Sequence, residues 1–216
     1  MLSSLRRAGC LYPCRCSRRL LADISAPHGA TPVYPGICRG VTPAWGPQQG
    51  RLPSWRLALE QGWIRWPEQL GPAGQLDAQG QVGDVVLRRA DGFLAYHLAT
   101  AVDELLLGIS DVVRGDDLWA ATAPQVAVIE RLGGMPPRYW HVPLWHDAAG
   151  QRLSKREQAA GLEPLRQRGL DAAAVVGMLA ASLDLVPEGT RLSAEELRQH
   201  LTLEALQQQL RRAPKT

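Results

Sequence analysis

Apolar and polar positions change period several times along the 216 residues, and those changes predict the elements. Leu2, Leu5 and Ala8, followed by Gly9, fit the last turns of a helix, so the chain is expected to begin in the middle of a larger fold. Residues 10–40 are rich in Cys, Pro, Gly and Arg with little periodicity, as in a compact knuckle. Residues 41–54 carry Pro43, Gly46, Pro47, Gly50 and Pro53 and read as a long loop. Residues 55–59 and 62–66 alternate enough to predict a short hairpin. A Gly-rich turn region over 71–83 then leads to a strand at 84–88. From there strand and helix periods alternate: a helix over 96–107, a buried strand at 109–113, a helix over 122–132 and a strand at 139–145. Thr122 and Gln125 have the spacing of a capping box, and Gly133-Gly134 ends that helix. This order predicts an α/β fold with a parallel, doubly wound sheet. Beyond residue 160 the pattern is helical, over 171–183 and 193–212, the latter opened by a second capping-box pair, Ser193 and Glu196.

Composition changes this picture little, but charge distribution adds to it. Hydrophobic residues make up 45% and charged residues 21%, as in ordinary globular proteins. No apolar run reaches the roughly 18 residues of a membrane span, so no membrane partner is expected. The net charge is only +3, yet residues 1–66 hold nine Arg and Lys against Asp23 and Glu60, leaving the other 150 residues net acidic. A basic front end of this kind suits a polyphosphate partner. A merely arginine-rich surface is the alternative.

Three stretches carry candidate chemistry. All four cysteines, Cys10, Cys14, Cys16 and Cys38, fall in the first 38 residues, a clustering that favours metal binding or redox chemistry over a disulfide framework, with free thiols as the alternative. Cys14-Arg15-Cys16 is too tight to bridge internally, but both thiolates can reach one tetrahedral Zn²⁺. The remaining ligands are open among Cys10, Cys38, His28 and Tyr34. Arg114, at the end of the 109–113 strand, is suited to clamp a carboxylate through its planar fork; an exposed arginine paired with Asp116 or Asp117 is the alternative. Finally, Arg152-Leu153-Ser154-Lys155-Arg156 follows a strand and a turn, and places cations and a hydroxyl where a triphosphate would meet them.

Taken in order, these stretches resemble the class I aminoacyl-tRNA synthetases, most closely the glutamyl branch and its glutamyl-queuosine tRNA(Asp) group. The resemblance spans roughly residues 9 to 185. It implies a Rossmann-type catalytic domain, of which this chain would hold the second half, with a zinc-binding insertion and a helical C-terminal end. The implied division is a zinc-bearing, acceptor-type subdomain over 1–85, the Rossmann portion over 86–150, and the loop and helical region over 151–216. Tyr12-Pro13-Cys14-Arg15-Cys16 and Tyr34-Pro35-Gly36-Ile37-Cys38 are similar to that group's zinc knuckle, which implies Cys14, Cys16, Tyr34 and Cys38 as ligands with Cys10 in reserve. Tyr96 and Arg114 match the residues that hold glutamate. Arg152, Leu153, Ser154 and Lys155 match the Lys-Met-Ser-Lys-Ser loop that binds ATP, with Lys155 and Ser154 assisting catalysis.

The implied activity is activation of glutamate with ATP and Mg²⁺, then transfer of the glutamyl group to queuosine in the anticodon of tRNA(Asp), in the cytoplasm. The His-Ile-Gly-His-like motif of the first Rossmann half is not found: His97, His141, His146 and His200 stand in other contexts. Impaired activity is therefore expected, and a catalytically inactive, zinc-stabilised RNA-binding remnant is the rival reading.

Overall fold

The alternation around Trp55 does produce a strand, but its partners differ from those the spacing predicts. The computed structural model describes residues 1–17, 19–21, 33–41, 44–144 and 161–212. A short helix α1 (Leu2–Arg7) ends at Gly9, whose φ of 70° lets the chain turn into strand β1 (Leu11–Cys14). β1 pairs antiparallel with β2 (Ser54–Leu57). β3 (Trp63–Trp66) pairs instead with β4 (Gly74–Asp77), inside the region expected to be only a turn. In this second hairpin Trp66 lies opposite Gly74, and a Cβ at 74 would run into the Trp66 indole. The glycine is there to admit the ring. β5 (Val85–Arg88) then completes a three-stranded sheet in the order β1-β2-β5, antiparallel to β2.

The α/β part follows. Helix α2 (Tyr96–Leu106) leads to β6 (Asp111–Gly115), helix α3 (Trp119–Arg131) and β7 (Arg138–Val142), with β6 and β7 paired as a separate sheet. Among the described residues this single strand–helix–strand unit is what corresponds to the expected doubly wound sheet, and the largest sheet is antiparallel. β6 begins two residues later than expected and is half-buried, with Val113 exposed. The capping box placed at Thr122 does not form. α3 starts at Trp119, so Thr122 sits one turn inside it, fully buried, and donates its hydroxyl to the Leu118 carbonyl at 3.4 Å. The Gln125 amide turns sideways to Thr100 at 2.5 Å. Tertiary burial has overridden a local spacing signal.

The chain divides into two compact units. The first holds Met1–Glu68, Pro72–Val112 and Leu118–Tyr139, and its core gathers Leu57, Leu87, Trp66, Val126, Ile129 and Tyr139, with Trp119 edge-on to Trp66 at 4.9 Å. Each such buried side chain contributes about 1.5–3 kcal/mol of transfer free energy. The second unit holds Gln69–Gly71, Val113–Asp117 and residues from Trp140 onward. Its helices are α4 (Leu162–Gln167), α5 (Ala172–Ala181), α6 (Ala194–His200) and α7 (Leu203–Arg212). Asp171 caps α5 through the Ala174 amide, and the Ser193–Glu196 capping box forms as expected. The single helix expected over 193–212 is broken at Leu201, because the Thr202 hydroxyl accepts from the Ala205 amide and starts α7 afresh. No helix among the described residues is long and apolar enough to cross a membrane.

Candidate metal knuckle and substrate-binding residues

Four of the predicted site residues come together at the end of β1. Cys14 is its last, buried residue and Cys16 follows two positions later. Tyr34 reaches them through a parallel bridge to Gly83, where φ is 71° and a Cβ would stand 2.8 Å from the Tyr34 amide nitrogen. Cys38 sits in the turn after it. The three sulfurs lie within 4.8 Å of one another, and Cys16 and Cys38 are 3.6 Å apart. The Tyr34 hydroxyl is 3.5 Å from the Cys14 sulfur and 3.9 Å from that of Cys16. Tetrahedral zinc with bonds near 2.3 Å to sulfur and 2.0 Å to oxygen sets sulfur–sulfur edges at about 3.8 Å and sulfur–oxygen edges at about 3.5 Å. The cluster has the size and the donor chemistry for such an ion. Cys10 lies outside it, its thiol directed to the Ala8 carbonyl, and His28 lies outside the described residues.

Proton affinities in the cluster diverge. Burial above all, with hydrogen bonding to Cys38 and the nearby Cys14, pushes the Cys16 thiol up to about 11. Burial likewise raises the Tyr34 phenol. Burial acts the same way on Cys38, but the Arg15 amide and its bonds with Tyr34, Cys16 and Cys14 outweigh it and bring that thiol below its usual range.

A buried carboxylate that no sequence pattern singles out holds this knuckle against the sheet. Asp84, just before β5, accepts from the Tyr12 hydroxyl, from the Arg39 guanidinium (Nε at 2.9 Å) and from the Leu59 amide at 2.9 Å. Its own carbonyl accepts from Arg56 at 2.6 Å, and the Arg56 guanidinium lies 3.7 Å over the Tyr34 ring. Asp84→Ala should therefore lower stability by on the order of 3 kcal/mol in urea denaturation, because it strands several buried donors at once. Asp84→Asn should lose less.

The remaining candidates divide between the units. Tyr96, in the first, opens α2 and is exposed, its ring 5.8 Å from that of His97. Arg114, in the second, projects from β6 and donates its Nε hydrogen to His141 Nε2 at 3.2 Å. His141 is buried on β7, two residues beyond the buried Tyr139 and on the same face. To accept that bond the imidazole must be neutral, with its proton on Nδ1. The period-two burial of β7 was the available signal for His141, but nothing in the sequence paired it with Arg114. Arg152, Leu153, Ser154, Lys155 and Arg156 lie outside the described residues.

Residues 71–204 match the catalytic domain of the tRNA synthetases class I (E and Q), and the chain belongs to that family. Among curated relatives it is similar to proteins named Glutamyl-Q tRNA(Asp) synthetase. That of Prochlorococcus marinus (strain MIT 9303) is 54% identical over 91% of this chain and 59% of its own length. That of Synechococcus sp. (strain CC9605) is 53% identical over 95% of this chain and 62% of its own length. The chain thus spans about three fifths of these relatives. Among solved structures, the glutamate-tRNA synthetase of Elizabethkingia anophelis shares the fold, with a TM-score of 0.60 at 20% identity, over 76% of this chain and 36% of that one. The resemblance drawn from the motifs is borne out at this level.

Proposed function

We propose that the chain supplies part of a ligase that activates glutamate with ATP and passes the glutamyl group to queuosine in the anticodon of tRNA(Asp). The observation that carries this reading is 54% identity, over 91% of the chain, to a protein named Glutamyl-Q tRNA(Asp) synthetase. In the first step a glutamate carboxylate oxygen bonds to the α-phosphorus of ATP and the bond to pyrophosphate breaks. In the second the glutamyl group moves to queuosine and AMP leaves.

Roles for the residues follow from their chemistry. Arg114 clamps a substrate carboxylate, and the neutral His141 ring at 3.2 Å fixes the rotation of its guanidinium. The Tyr96 hydroxyl, on an exposed side chain at the start of α2, contributes a hydrogen bond to glutamate. Lys155 and Arg152 offset the charge that develops on the phosphates, and the Ser154 hydroxyl assists. Cys14, Cys16, Tyr34 and Cys38 would hold Zn²⁺, which would supply a structural cross-link between the end of β1 and the turn at Cys38.

The test is a chimera in which residues 1–216 replace the matching part of the Prochlorococcus relative. Glutamate-dependent ATP–pyrophosphate exchange is expected, and Lys155→Ala should remove it by at least about a hundredfold. Exchange that ignores glutamate, or survives Lys155→Ala undiminished, would count against the reading.

A further inference from the structure

We infer that the outer face of α1 and the adjoining sheet is a docking platform for single-stranded RNA, made of interleaved arginine and tryptophan side chains. The inference rests on the proposed function only for the class of nucleic acid. The Arg6 guanidinium lies 4.1 Å over the Trp45 ring and 5.8 Å from that of Trp55. Arg88 approaches Trp55 at 5.1 Å, and the two indoles meet edge to face, 5.1 Å apart at 89°. Beside them opens a hollow of about 600 Å³ lined by Ser3, Arg6, Arg7 and Trp55. Among the described residues no ion pair joins a carboxylate to Arg6, Arg7 or Arg88, whereas Arg39, Arg89, Arg131 and Arg138 each have one.

The arrangement matches what a flexible strand needs. A guanidinium held over an indole by the ring's negative face still offers its planar fork of N–H donors to phosphate oxygens, which can take them in pairs. Guanidinium and indole faces both accept unstacked bases, without preference for which base. Helix α1 places Arg6 and Arg7 in its last turn, where the helix dipole already favours cations, so the charge is held in place without a carboxylate. The excess of basic residues in the first 66 positions adds a longer-range field of the same sign.

The experiment uses the full chain and a fluorescein-labelled RNA stem-loop of unmodified nucleotides, followed by anisotropy across a salt series and by intrinsic tryptophan fluorescence. The wild type should bind the stem-loop more tightly than a blunt RNA duplex of equal length, with quenching that is reduced in Trp45→Phe. Arg6→Ala/Arg7→Ala should weaken binding on the order of tenfold and flatten the log–log salt dependence by about 1.4, roughly 0.7 for each single-strand phosphate that is no longer neutralised. Arg7→Ala alone leaves the Arg6 stack in place and should show half that change in slope, which separates a removed charge from a disturbed fold. Absence of binding, equal binding of the duplex without quenching, or a salt slope unchanged in both variants would overturn the platform. Because no step reads glutamate transfer, RNA binding retained by a chimera that fails to activate glutamate would support the platform while striking the enzymatic reading alone.

Discussion

Cys16→Ser and Cys38→Ser should each take the purified protein from about one zinc per chain to essentially none, measured by elemental analysis after gel filtration. The reason is the tightness of the group: three sulfurs lie within 4.8 Å, with a phenol 3.5 Å from one of them, and among the described residues no further Cys, His or carboxylate joins the cluster. Structural zinc in small domains contributes about 10–16 kcal/mol of binding free energy, so a missing thiolate is felt as a folding defect of the knuckle. Chelation of the wild type should accordingly expose the backbone around Cys14 and Cys38 to hydrogen exchange, while α3, deep in the first core, stays protected. Binding must displace protons from Cys16, whose thiol titrates at about 11, and from the raised Tyr34 phenol, so affinity should climb with pH across the neutral range. Tyr34→Phe separates the phenol from the thiols: metal should remain but bind more weakly. Zinc kept by Cys38→Ser and lost from Cys10→Ser would require a different ligand set.

Arg114→Ala, introduced into the chimera with the Prochlorococcus relative, should raise the KM for glutamate by roughly 30-fold to several thousand-fold, the equivalent of about 2–5 kcal/mol for a severed charge-assisted bond. kcat should change far less, because a clamp on a carboxylate remote from the reacting atoms binds ground and transition states alike. His141→Ala should move KM in the same direction by a smaller factor, since it frees the guanidinium without removing it. His141→Gln, which keeps an acceptor near the Arg114 Nε, should recover part of the loss. An unchanged KM in Arg114→Ala would place that side chain outside the substrate site.

Legibility of the site varied with how local its determinants were. Cys14-Arg15-Cys16 and Tyr34 with Cys38 four residues on are short-range patterns, the second closed by the Cys38 amide donating to the Tyr34 hydroxyl at 2.9 Å. What joins the halves is not local. The Tyr34–Gly83 bridge and the Asp84 carboxylate come from some fifty residues further along, and a lone Asp before a strand carries no mark of its role. The Arg114–His141 bond likewise depends on β6 and β7 becoming neighbours across the whole of α3.

The fold shows the same division. Residues that make helices and caps act within one turn, so α2, α5 and the Ser193–Glu196 box could be read directly from the chain. Thr122 and Gln125 had the right spacing for a box as well, but the packing of α3 put both in the core and gave their hydrogen bonds to Leu118 and Thr100. Strand partners were beyond local reading. Alternation marks β2 and β3 as strands equally well whether they pair with each other or apart. The choice fell to which pairing buries Leu57, Leu87 and Trp66 together, with a glycine at 74 to receive the indole. The sequence by itself determined several of the helices and the family, because these rest on short-range chemistry. Only the tertiary structure decided which strands pair, which carboxylate supports the knuckle and which imidazole steadies Arg114, because those are fixed by the burial of side chains far apart in the chain.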